Sequence, residues 1–148
     1  FNGAYILSKV TLGTGIGVNQ SDNRPLQGQS PYILNAAYNY NDTKKGLQIN
    51  VSFNVIGKRI YAVGNNYGYN YPDWYELPRN ILDLTFSKKV AKNIQIKGGI
   101  SDILNNKNIV LQDGNQDGNF DVNTDQTIQS FSPGRVISLG IIYTPFGF

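Results

Sequence analysis

An all-β chain of about six antiparallel strands is what this sequence predicts, and three observations predict it. Apolar and polar residues alternate with a period of two over several stretches of about ten residues, which is the side-chain period of a strand. Short polar turns and long connections rich in Gly, Asn and Asp follow one another in strict alternation. Only 16% of residues are charged, against about 25% in an ordinary soluble domain, while Tyr, Gly and Asn are prominent. That balance suits strands whose polar face does not meet bulk water in the usual way.

The first strand is predicted over 1–12, with Ala4, Ile6, Val10 and Leu12 on one face and Tyr5, Lys9 and Thr11 on the other, interrupted by Ser8. Turn-forming Gly, Asn, Asp and Pro residues make 13–29 a loop. Strand 30–41 sets Tyr32, Leu34, Ala36, Tyr38 and Tyr40 against Ile33, Asn35, Ala37 and Asn39. After a short turn, 46–57 alternates without fault: Leu47, Ile49, Val51, Phe53 and Val55 against Gln48, Asn50, Ser52 and Asn54. An aromatic loop, 58–76, precedes strand 77–87, where Leu82, Leu84 and Phe86 oppose Asp83 and Thr85. A second short turn, 88–92, leads to strand 93–104, with Ile94, Ile96, Gly98 and Ile100 opposite Gln95, Lys97, Gly99 and Ser101. The third long loop is 105–130. The last strand, 131–146, sets Ile137, Leu139, Ile141 and Tyr143 against Val136, Ser138, Gly140 and Ile142, and the sequence after it is aromatic.

Composition excludes several chemistries. A net charge of +3 is too small to argue for nucleic acid, and Lys44, Lys45, Lys88, Lys89 and Lys92 fall in turns rather than one patch. Without cysteine there is neither a disulfide framework nor a thiolate metal site. Without histidine the commonest general base and zinc ligand are missing. With few carboxylates besides, no nucleophile–base pair stands out, and no enzyme is expected. No apolar run approaches the roughly 20 residues of a membrane-spanning helix. The sequence opens at Phe1, without Met, in a segment that already reads as strand, so a piece of something longer is expected.

The two faces decide what the strands meet. A soluble lipocalin-like barrel would turn its polar face to water and dress it with Lys, Glu and Asp. Here that face carries Asn35, Asn39, Gln48, Asn50, Ser52, Asn54, Gln95 and Ser101, with charges at only Asp83 and Lys97. Uncharged amides that can bond one another suit an enclosed polar lumen. The other face is branched aliphatic at its centre and aromatic near the short-turn end, at Tyr38, Tyr40, Phe86, Tyr143 and Phe146, as a girdle at a bilayer interface would be. All long loops fall at one end and all short turns at the other, which is the layout of outer-membrane barrels. Strands of about ten residues match the span of a tilted membrane strand. The expectation is an antiparallel transmembrane β-barrel segment, in contact with outer-membrane lipid, with its C-terminus on the periplasmic side.

Several phrases carry a more specific resemblance. Arg24-Pro-Leu-Gln-Gly-Gln-Ser-Pro-Tyr32, Asn54-Val-Ile-Gly-Lys-Arg-Ile60 and Pro72-Asp-Trp-Tyr-Glu-Leu-Pro-Arg-Asn80 occur in that order. Leu82-Asp-Leu84 before Ser87-Lys-Lys89, Asp102-Ile-Leu-Asn105 and a last strand opening at Gly134-Arg135 complete the set. Together they resemble the C-terminal barrel of TonB-dependent outer-membrane receptors of the Bacteroidetes type. The resemblance implies about six C-terminal strands of a 22-stranded, plugged barrel. It implies import of a nutrient ligand such as a siderophore, glycan, peptide or vitamin. The implied partners are the remaining barrel strands and plug, and TonB through a region N-terminal to this one. The aromatic end of the last strand (Tyr143, Phe146 and Phe148) is similar to the signal read by the assembly machinery. An outer-membrane barrel with a structural or secretion role and no import is the alternative; the soluble ligand-binding barrel is the third reading.

Two local features are candidate sites. Asp113-Gly-Asn115-Gln-Asp117-Gly118-Asn119-Phe-Asp121 fits the opening of an EF-hand-type calcium loop, with oxygen ligands at positions one, three and five, Gly at six, a main-chain carbonyl at seven and a carboxylate at nine. Position twelve is Thr124 instead of Glu, and Asp125 comes one residue late. The plain alternative is an exposed loop that uses Asp-Gly and Asn for its turns. The aromatic loop, with Tyr67, Tyr69, Tyr71, Trp74 and Tyr75, offers stacking surfaces for a sugar or apolar ligand, against the alternative of packing on its neighbours. Arg59, Glu76 and Arg79 lie beside it as charges that could pair, meet an anion or simply be solvated.

Overall fold

The computed structural model of the chain describes residues 1–11, 24–64, 71–115 and 117–145. Among them there is no helix, and every strand pairs antiparallel. One sheet has the spatial order β1 (Asn2–Tyr5), β2 (Tyr32–Asp42), β3 (Leu47–Ile56), β6 (Arg79–Ala91), β7 (Ile94–Ser101) and β10 (Val136–Tyr143). A second runs β4 (Arg59–Ala62), β5 (Trp74–Glu76), β8 (Asn108–Gln112) and β9 (Gln126–Phe131).

Two tight turns fix the registers. At 43–46 the Lys45 amide donates to Asp42 Oδ1 (2.9 Å) and Gly46 takes φ +59°, the left-handed conformation that glycine adopts without strain. Pairing of β2 with β3 then runs unbroken from Asp42↔Leu47 to Ile33↔Ile56. The second turn is only Lys92–Asn93, because β6 continues through Ala91 and ends in a bulge between Lys89 and Ala91. Lys88 and Lys89, expected in a five-residue turn, are therefore strand residues, and Lys92 stays in the turn.

These registers stack the faces into rows. Tyr38, Val51, Leu84, Ile100 and Ile137 lie side by side across five strands on one face. The next row is Tyr40, Ile49, Phe86, Gly98 and Leu139, where the Phe86 ring covers the bare Cα of Gly98: a Cβ there would come within 2.5 Å of the ring. On the opposite face the corresponding row is Asn39, Asn50, Thr85, Gly99 and Ser138. Asn54 Nδ2 donates to Asn35 Oδ1, and Asn35 Nδ2 to Asn2 Oδ1 (2.8 Å), an amide ladder across three strands.

The sheet is a single layer. The fully buried apolar side chains, Ile60, Val110 and Leu111, all belong to the smaller sheet, while Tyr38, Phe86, Ile137, Leu139 and Ile141 each expose between 40% and 76% of their surface. A soluble domain buries an apolar sheet face against a second layer. No such layer covers this one among the described residues. The sheet is also curved. A concavity of about 760 Å³ is lined by Asn39, Asn41, Gln48, Asn50, Thr85 and Ser87, with Lys97, Ser138 and Gly140 beyond them. These nine project to the amide face; the other five lining residues, Tyr40, Ile49, Phe86, Gly98 and Leu139, are their alternates on the same strands, so most of the lining puts the hollow on the amide side, with the aliphatic face convex. The six strands do not close into a barrel: β1 and β10 are its two edges.

The stretches expected as long loops, 58–76 and 105–130, hold the four strands of the smaller sheet. That sheet continues the larger one upward. β3 passes through Gly57–Lys58 into β4, and β5 through Leu77–Pro78 into β6, with the same pairing offset above (Arg59↔Glu76) and below (Ile56↔Arg79). β7 passes into β8 through a corner at 102–107, where Asp102 (φ +53°) and Asn105 (φ +48°) are left-handed and the offset shifts by two residues. The outermost strands are shorter than expected. β1 is regular only over Asn2–Tyr5, after which the Ile6 amide reaches Pro31 O (2.8 Å) and Val10 bridges Arg24. β10 begins at Val136, since 131 closes β9.

Candidate functional site

Alternation carried through the break at Gly57–Lys58 puts Lys58, Ile60 and Tyr75 on the side of the amide rows. Their side chains thus project on the amide side at the end of the strands away from the short turns, the mouth of that face. Ile60 pairs with Tyr75 and Tyr75 with Leu111, a row fully buried at both ends. Over Tyr75 lies the loop between β8 and β9. Phe120, the apolar residue at the centre of that polar loop, packs on Tyr75 with ring centroids 4.5 Å apart at 51°. Lys58 Nζ lies 3.9 Å from the Phe120 centroid and 5.2 Å from that of Tyr75, a cation held against two ring faces.

Electrostatics at the mouth follow from this packing. Desolvation pulls the Lys58 ammonium pKa below its ordinary 10.5, and the Asp113 carboxylate opposes the shift. Burial pushes the Tyr75 phenol above its ordinary 10.0, helped by Asp73 and Asp113 and opposed by Arg24. Lys58, Tyr75 and Phe120, with Arg24, Asp73 and Asp113 around them, form one mixed-charge, partly aromatic surface. It can stack a ring and offer either sign of charge to a polar ligand.

The expected aromatic surface divides. Trp74 and Tyr75 are consecutive in β5 and point to opposite faces; Tyr75 joins the mouth and Trp74 does not. Tyr71 is exposed beside Gly64, whose amide donates to Asp73 Oδ1 (2.8 Å). Tyr67 and Tyr69 lie outside the described residues, as do Phe146 and Phe148 of the C-terminal signal. Tyr143 ends β10, paired with Ile94 and exposed. Arg59 pairs with Glu76 (2.6 Å), which also accepts from Asn108 Nδ2 (2.9 Å), and Arg79 pairs with Asp102. Those charges are therefore tied into the protein rather than solvated. Lys58 and Phe120 were missed as site residues. Phe120 had a signal, being the one large ring in a run of Asp, Asn and Gly; Lys58 had none.

In the loop 113–125, Asp113 accepts from the amides of Asp117 (3.2 Å) and Gly118 (2.9 Å), Asn115 Oδ1 from Asp117 (3.1 Å) and Asp117 Oδ1 from Asn119 (2.7 Å). Asp121 Oδ1 accepts both nitrogens of Asn123 (2.9 and 2.8 Å). Among the described residues no three of Asp, Glu, His and Cys gather into a metal cage.

The Phe120 ring docks this loop on Tyr75, and that contact is testable. Phe120→Ala removes about 1.5–3 kcal/mol of apolar burial, so protease cleavage within 113–125 should rise by about one to two orders of magnitude. The Lys58 pKa should climb back toward 10.5. Limited proteolysis and a lysine side-chain NMR titration read the two effects, and unchanged cleavage would mean that the loop is held by something else. No protein-family model, curated protein or solved structure matches the chain at a significant level.

Proposed function

We propose that this chain is the C-terminal barrel portion of a TonB-dependent outer-membrane receptor that imports a nutrient ligand. The observation that carries the reading is the direction of curvature: the amide-rich face, with few charges, is concave and the aliphatic face convex and uncovered. A soluble barrel of the lipocalin kind needs the reverse, with its aliphatic rows enclosed. In a bilayer the convex rows meet lipid tails, while the amide rows line a wet interior where they bond one another and whatever fills the lumen.

On this reading the open edges of β1 and β10 are paired by further strands, because unpaired main chain in lipid costs several kcal/mol per group. The turns at 43–46 and 92–93 face the periplasm, and the smaller sheet stands outside the cell as a collar on the barrel. The mouth formed by Lys58, Tyr75 and Phe120 then lies where an arriving ligand first meets the lumen. Contact with the edge of the Tyr75–Phe120 pair, with polar contacts to Lys58 and Asp73, fits a ligand with both ring faces and polar groups.

The test uses whole cells expressing the full-length protein with a single cysteine at either end of the sheet. Asn123→Cys should react with a membrane-impermeant maleimide on intact cells, and Lys44→Cys only after lysis. Equal labelling of both, or of neither, would remove the membrane reading. Loss of ligand-dependent growth when the inner-membrane energy source is disabled separates import from a purely structural barrel.

A further inference from the structure

The last pair of the β8–β9 ladder is Gln112↔Gln126, so Asp113 and Asp125 are the next residues out, at opposing positions across the mouth of the loop. Like charges placed opposite one another in a hairpin repel. Asp125 is nevertheless only 8% exposed, although residues 121–124, 126 and 127 around it are all exposed. Its Oδ2 accepts the Asp121 amide (2.8 Å), which turns the carboxylate back into the loop, and its Oδ1 is buried with no hydrogen-bond partner. A buried carboxylate oxygen without a donor is unfavourable unless a cation meets it.

The rest of the loop carries oxygens of the kind such a cation takes, here accepting from N–H groups of the loop itself and not yet gathered round one point. Asp113, Asn115 and Asp117 stand at positions one, three and five, and Gly118, at φ +77°, makes the sharp turn at six. Asn119 supplies a main-chain carbonyl at seven. We propose that the 113–125 loop binds a calcium ion, with Asp125 standing in for the twelfth-position carboxylate of an EF-hand-type loop. This site does not depend on the receptor reading.

Calcium fits better than magnesium. The donors are carboxylate, amide and carbonyl oxygens on a loop that must contract to bring them together, and calcium accepts six to eight such ligands in irregular shells, whereas magnesium demands a tight octahedron. Two features keep the affinity modest: no Glu stands at position twelve, and the Lys58 ammonium already lies near Asp113. The expected Kd is about 10⁻⁴ to 10⁻³ M, the range of calcium modules outside cells. Binding would also couple to the mouth, since Phe120, the eighth residue of the loop, is the one docked on Tyr75.

The experiment uses the full-length protein in detergent micelles after treatment with a chelator. Calcium is titrated by calorimetry, and terbium by luminescence excited through tyrosine. Calcium should bind in the range given and displace terbium, with magnesium at the same concentration failing to do so. Asp125→Asn and Asp113→Asn should each weaken binding by about tenfold or more, while Asp42→Asn, at the far end of the sheet, should leave it unchanged. Tyr75→Phe should dim the terbium signal, since Tyr75 is the tyrosine that Phe120 of the loop packs on. Asp117→Ala serves as a second loop variant, its residue being exposed, if Asp125→Asn proves unable to fold. No calcium-dependent heat up to about 10 mM, or binding equally strong in the Asp125 and Asp117 variants, would overturn the proposal.

Discussion

If the convex face meets lipid as proposed, Leu84→Lys should strip the folded protein from the outer membrane, Ser52→Lys should leave it there, and Ile141→Lys should fall between them. Leu84 stands in the middle row of the convex face, flanked by Val51 and Ile100. Ser52 occupies the neighbouring level of the same sheet but on the concave side, directly across from Asp83. Ile141 is on the convex face again, two rows nearer the short turns, in the row that already contains Lys88. A lysine at the bilayer midplane of a barrel costs about 2–4 kcal/mol and one near the interface about 0–1 kcal/mol. A lysine at 52 gains an opposite-charge partner worth about 0.2–1 kcal/mol. The folded fraction, read by heat-modifiability in isolated outer membranes, should therefore drop by more than tenfold for Leu84→Lys and hardly at all for Ser52→Lys. The graded value at Ile141 is the discriminating one. An aliphatic interior in a soluble barrel also rejects Leu84→Lys, but it has no depth profile running from the middle row to the turn end. Equal losses at Leu84 and Ile141 would sink the lipid-facing assignment.

The larger sheet was legible because its signal is local and repeated. Leu47 to Val55 alternates for nine residues beside a turn whose Asp42 and Gly46 do what those residue types do in turns, and register follows from the turn. The smaller sheet was not legible because nothing in it is long enough to show a period. Trp74–Glu76 is three residues and Arg59–Ala62 four, and their pairings join segments far apart in sequence. Pro78 and the Gly-rich and Asn-rich surroundings read as loop, and they do interrupt the ladder, but only for two residues at 57–58 and 77–78 and for six at the corner 102–107. The mouth suffered from the same gap. Without knowing that β4 and β5 keep the alternation of β3 and β6, Trp74 and Tyr75 look like one aromatic surface, when they serve opposite faces. Phe120 could have been noticed as the apolar residue in a polar loop; that it lands on Lys58 follows only from the hairpin's direction.

Asp102→Asn should destabilise the folded protein by about 3 kcal/mol, and Arg79→Met combined with Asp102→Asn should recover most of that loss. Asp102 is 8% exposed and sits at the corner where β7 gives way to the smaller sheet. Its amide donates to Asp83 Oδ1 (2.8 Å) and its carboxylate accepts from the Arg79 guanidinium, so one residue ties β6 to the corner at two points. Removing one member of a buried ion pair leaves the other charge uncompensated, at a cost of about 3–5 kcal/mol. The Arg79 side chain keeps 20% of its surface in contact with solvent, which argues for the lower end. Asparagine is the right first substitution because φ is +53° here, and Asn tolerates the left-handed region while Ala does not. Asp102→Asn thus reads the charge alone, and Asp102→Ala adds backbone strain of about 1–2 kcal/mol. If Asp102→Asn unfolds at the same denaturant concentration as the unmodified protein, the ion pair contributes nothing. The corner would then be held by the Asp83–amide bond and by Asn105 Oδ1, which accepts from the Gly134 amide (2.9 Å) on the strand-side of the same junction. Loss of the pair should also loosen the smaller sheet selectively, since 102–107 carries the two-residue shift in register on which β8 depends. Amide exchange should consequently quicken in β8 and β9 before it does in β3.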